Sequence, residues 1–172
     1  MGESPTGKIR YVLQGEEDNK QLVFYTEDRP DEGVVLCLTH GWGDMVVSFS
    51  PNEQWVVVQD GTASLGIYLR LFRRQRGLNY EEVTSADIGG RAESAALKQK
   101  FVADTQILEH RYVHVLPWSA DSTRFLVELS GRGQGDKGWI GIAHWIGIYN
   151  VTNGAVSTDL AQMNRPALNK PR

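Results

Sequence analysis

The chain has 172 residues, the length of one domain of common size, at which a core forms without disulfides or metals. Eighteen Lys and Arg against 21 Asp and Glu leave a net charge of −3, which excludes a summed positive field for nucleic acid or an anionic membrane. One cysteine, Cys37, excludes an internal disulfide framework and a multi-cysteine zinc site and favours the cytoplasm, and no run approaches the ~18 apolar residues of a membrane span.

In chain order, residues 1–7 read as a disordered tail, rich in Pro, Gly and charge with no apolar period. A single β-rich domain is expected over 8–163, and 164–172 read as a second disordered tail. β-Branched and aromatic runs predict strands at Ile9–Leu13, Gln21–Thr26, Val34–Thr39, Met45–Phe49, Trp55–Gln59 and Gly66–Phe72. One segment changes period. From Arg91 to His110, Leu97, Phe101, Ile107 and Leu108 recur at helical spacing among Ala92, Ala95 and Ala96, and Gly89-Gly90 marks a start. Strands resume at Tyr112–Trp118, Arg124–Leu129, Trp139–Val151 and Val156–Leu160, with Asn153-Gly154 as a hairpin signal. The fold class is therefore mainly β with one α-helix, arranged as an antiparallel meander. A single curved antiparallel sheet packed on the helix is the alternative.

The sequence also repeats. Phe49-Ser50-Pro51-Asn52-Glu53-Gln54-Trp55-Val56-Val57-Val58 aligns with Trp118-Ser119-Ala120-Asp121-Ser122-Thr123-Arg124-Phe125-Leu126-Val127. In each copy an aromatic ends one strand, a polar turn reverses the chain, and an apolar triplet starts the next. Gly66-Ile67-Tyr68 and Gly147-Ile148-Tyr149 extend the match, and Asn19-Lys20-Gln21-Leu22-Val23-Phe24 is a weaker third copy. The pattern resembles the blades of TolB-like and WD40-like β-propellers, where a Ser-Pro-Asp-Gly-Lys-type turn joins the first two strands. The resemblance implies propeller-blade-like repeats and a binding role. A closed ring needs ~4 to 8 blades of ~40 residues, so it also implies a homodimer in which two chains pool their blades.

No catalytic constellation assembles. Thr39-His40-Gly41-Trp42-Gly43 imitates an oxyanion turn, but no Gly-x-Ser-x-Gly elbow follows, and Gly131–Gly138 lacks the Lys-Ser/Thr and helix of a phosphate loop. His110 and His114 lack a supporting carboxylate motif, so neither metal nor cofactor is assigned. Gly131–Gly138 instead reads as a mobile hairpin loop inserted in the second repeat, and insertions on repeats gather on the contact face. Its Arg132, Gln134, Asp136 and Lys137, with Trp139, form one candidate contact set. Arg70, Arg74 and Arg76, on one face of a strand, form another. The function these features imply is a non-catalytic protein-binding module. The alternative is a small-molecule binder or small enzyme with a pocket lined by Trp42, Trp118, Trp139 and Trp145.

Overall fold

The computed structural model describes residues 1–16, 20–39, 45–63, 66–99, 108–135 and 138–164. The chain divides into two compact units, 1–86 and 87–172. The class is mainly β with one α-helix, as expected.

The first unit holds two four-stranded antiparallel meanders. β1 (Gly2–Glu3), β2 (Arg10–Gln14), β3 (Lys20–Thr26) and β4 (Arg29–Thr39) pair in that order. β5 (Val46–Phe49), β6 (Trp55–Ala63), β7 (Gly66–Arg76) and β8 (Asn79–Glu82) pair likewise. Ile9, Leu22 and Phe24 from the first meander meet Phe49, Val56, Val58, Phe72 and Tyr80 from the second in one buried cluster. The second unit holds α1 (Ile88–Gln99) and a third meander, β9 (His110–Trp118), β10 (Arg124–Gly135), β11 (Gly138–Asn150) and β12 (Val156–Ser157). α1 packs on β10, β11 and β12, burying Ile88, Ala92, Ala96 and Leu97.

Several expectations are corrected. Residues 1–7, read as a tail, carry β1, which pairs Gly2 with Tyr11 and Glu3 with Arg10. The helix begins at Ile88, not Arg91, because Asp87 caps it, accepting from the Gly90 amide at 2.9 Å. It does not reach His110, which is the first residue of β9; Phe101 and Ile107 lie outside the described residues. β4 starts five residues before the apolar run, at Arg29, where Pro30, Asp31 and Glu32 suit an edge strand. β8, with Asn79, Glu81 and Glu82 around one apolar residue, carries no strand signal in its composition.

The repeat is deeper than its sequence. Each meander opens on the same six-residue turn, in which the first residue is a buried serine: Ser4, Ser50 and Ser119. The serine amide donates to the carbonyl of the sixth residue, Ile9, Trp55 or Arg124, at 2.8, 2.9 and 2.8 Å. The sixth residue's amide donates back to the serine Oγ at 3.1, 3.0 and 3.0 Å. The third residue, Thr6, Asn52 or Asp121, accepts from the amide two places on. The fourth takes a left-handed backbone in every copy, φ 70° at Gly7, 56° at Glu53 and 61° at Ser122. The third copy of the repeat therefore starts at Ser4, not at Asn19, which lies outside the described residues. Ser119 is 1% exposed, so Ser119→Ala is expected to cost about 1–3 kcal/mol in a urea titration by orphaning a buried amide. A loss under about 0.5 kcal/mol would mean that the backbone bonds alone hold the turn.

Candidate functional site

The glycine-rich stretch expected as a loop is a ladder. β10 and β11 stay paired through Gly131↔Ile142, Arg132↔Gly141, Gly133↔Ile140, Gln134↔Trp139 and Gly135↔Gly138. Only residues 136 and 137 connect the strands, so Asp136 and Lys137 of the candidate set lie outside the described residues. Glycines leave a ladder intact because it is built from backbone groups, while their lack of side chains removes the sequence signal for a strand. Among the described residues the β9 ladder ends at His110↔Arg132, and from Gly133 to Gly135 β10 pairs with β11. The two strands continue as a ribbon, with Arg132 exposed near its base.

A bulge sits at that base. Between Leu129↔Trp145 and Gly131↔Ile142, one residue of β10, Ser130, faces two of β11, Ala143 and His144. His144 takes φ 49°, its amide donates to Ser130 Oγ at 3.0 Å, and its Nδ1 meets Glu128 Oε1. A side chain in the left-handed region is uncommon, and a bulge re-aims the strand it interrupts. Nothing in the composition around Ala143-His144 announces it.

The arginines of the other candidate set are held by their own unit. Arg70 grips Glu82 with two bonds, Nε at 2.9 Å and Nη2 at 2.6 Å, and donates from Nη1 to Leu38 O at 2.9 Å. Arg74 donates to Gly77 O at 2.7 Å, stacks its guanidinium 5.8 Å from the Tyr80 ring and lies 3.6 Å from the Glu53 carboxylate. Arg76 is exposed at the end of β7. Arg70 thus ties β7 to β4 and β8, and Arg74 ties it to the turn that precedes β6.

No family model matches the sequence, and no curated protein does. Among solved structures the chain has a weak likeness of fold to TolB from Acinetobacter baumannii, with a TM-score of 0.44 and 13% identity over 91% of this chain. The chain spans 30% of that TolB chain.

Of the four tryptophans expected to line a pocket, the side chains of Trp118 and Trp145 are described, and neither lines the cleft beside α1. Trp118 stacks 4.9 Å from Phe125, Trp145 donates its Nε1 to Gln99 at 2.7 Å, and Trp42 lies outside the described residues. An open cleft of about 770 Å³ beside α1 is lined by Asp87, Arg91, Glu93, Ser94, Arg111 and Gly154, among others. Its arginines are anchored, Arg91 on Gly154 O at 2.8 Å and Arg111 on Glu93 at 2.9 Å. Among the described residues no group of three His, Cys, Asp or Glu could hold a metal, and no helix is long and apolar enough to cross a membrane. Burial pushes the Cys37 thiol up to about 11, with Arg70 opposing and Asp60 and Glu82 adding to the rise. Native protein at neutral pH is therefore expected to leave Cys37 unlabelled by a thiol reagent, and denatured protein to consume one equivalent. Rapid labelling of the native chain would show that β4 opens.

Proposed function

We propose that the chain is a non-catalytic protein-binding module, working in the cytoplasm, whose contact element is the β10–β11 ribbon. The observation that supports this is the ribbon's continuation past the last β9 pair, His110↔Arg132, where Gly133, Gln134 and Gly135 pair with Ile140, Trp139 and Gly138 of β11. A two-stranded ribbon can take up a partner's strand through main-chain bonds, which supply affinity whatever the side chains. Arg132, Gln134 and Trp139, with Asp136 and Lys137 at the connection, supply the specificity. The net charge of −3 disfavours nucleic acid as the partner, and the single cysteine suits a reducing compartment.

A photo-activated cross-linking residue at position 132, compared with one at the exposed Lys98 of α1, tests the proposal. A discrete adduct from position 132 and none from position 98 is expected. If the adduct forms in the purified chain and has the mass of two chains, the partner is a second copy; if it forms only in the source cells, the partner is another protein. No adduct from the ribbon, or equal adducts from both positions, would overturn it.

A further inference from the structure

We infer that residues 1–8 form a strap, latched to the first unit by the carboxylate of Glu53, that opens while the meanders stay folded once that carboxylate loses its charge. The strap is lightly attached elsewhere. β1 contributes two residue pairs to β2, and the backbone bonds of Ser4 and Gly7 fold the strap's own turn rather than join it to the second meander. Its link to the second meander is Glu53, whose carboxylate accepts from the amide and the hydroxyl of Thr6 at Oε1 and from the Ser4 side chain. Ile9, 1% exposed in the core cluster, is the fixed end from which the strap would swing.

Glu53 is built to act as a latch. It is 4% exposed, sits at the left-handed position of its turn, and has its carbonyl oxygen fixed by the Tyr80 hydroxyl at 2.8 Å. The groups facing it are Ser4 and Thr6 from the strap, Arg74 from β7 and Tyr80 from β8. Burial raises its carboxyl, but hydrogen bonds from Ser4, Thr6 and the Thr6 amide, with the Arg74 charge, outweigh it and hold the group below its usual range. A carboxylate with a depressed folded value gives its stabilisation in full above the ordinary range of about 4.3, and loses it as pH falls through the folded value. The strap therefore stays shut at neutral pH and opens in acid, uncovering the β2 edge at Arg10 and Tyr11.

Hydrogen exchange read by mass spectrometry, corrected for intrinsic rates, tests this on the full chain at neutral pH and over a descending series of acid pH values. In Glu53→Gln at neutral pH the peptide covering 1–8 is expected to exchange about tenfold faster than in wild type, the equivalent of one lost charge-assisted bond, with β6 and β7 unchanged. Thr6→Ala, which removes the hydroxyl's bond to Glu53 and leaves the amide's, should move the same peptide in the same direction by less, and wild type should approach Glu53→Gln as pH falls. Unchanged exchange of 1–8 in both variants would overturn the latch. So would acceleration of 1–8 only in step with β6 and β7, because the strap would then open by unfolding of the whole unit.

Discussion

Glu93→Ala is expected to cost about 3 kcal/mol in a denaturant titration, although the residue lies on a helix rich in polar side chains. Glu93 is 6% exposed and accepts from the Leu108 amide at 2.6 Å and from Arg111 Nη1 at 2.9 Å. It ties α1 to the chain entering β9, and that junction fixes how the helix lies on the third meander. Removing the carboxylate takes an acceptor from a buried amide and a counter-charge from a guanidinium, which costs more than the pair's net worth. The estimate stands at the low end of the range for a broken buried pair because the Arg111 side chain keeps 25% of its surface in water. Glu93→Gln retains an acceptor oxygen and should lose about 1 kcal/mol less. Equal losses from both substitutions would assign the effect to packing rather than charge.

Glu93 also shows where the sequence stops being informative. On α1 it reads as part of a solvated face, since nothing near it names Leu108 or Arg111 as a partner. Glu53 is the same case, its partner Thr6 lying 47 residues away. What local patterns do specify is the turn. Two copies stand out because Phe49 or Trp118 precedes the serine and an apolar triplet follows. The copy at Ser4 has no aromatic before it, and its Pro5, Thr6 and Gly7 have the composition of a disordered end. Its backbone bonds nevertheless match the others, and Gly7 is the residue that the left-handed position favours most. The ribbon hides for the opposite reason, as its order comes from main-chain pairing that glycine permits and composition does not record. The arginines of β7 were legible as a cluster, but their engagement with Glu82, Leu38 and Gly77 depends on which strands come alongside.

The second large effect is expected from Phe24→Ala, at about 3–5 kcal/mol in a urea titration. Phe24 is 0% exposed at the centre of β3, and the rings around it come from both meanders of the first unit. Its centroid lies 5.3 Å from Phe49, 5.6 Å from Tyr80 in an edge-on arrangement and 6.3 Å from Tyr11. Offset and edge-on pairs at such spacings add to the area buried, so the truncation loses both transfer energy and ring contacts. The site also collapses poorly, because the backbones of β2, β3 and β4 are fixed by their ladders and cannot close over the void. Val35→Ala on the neighbouring β4, where the side chain is 48% exposed, should change stability by no more than about 0.5 kcal/mol and serves as the control. A loss below about 1 kcal/mol for Phe24→Ala would mean that the aromatic cluster is not what joins the first meander to the second. The Glu53 latch and the Arg70 bond to Leu38 O would then have to hold them together, and Arg70→Ala would become the more damaging change.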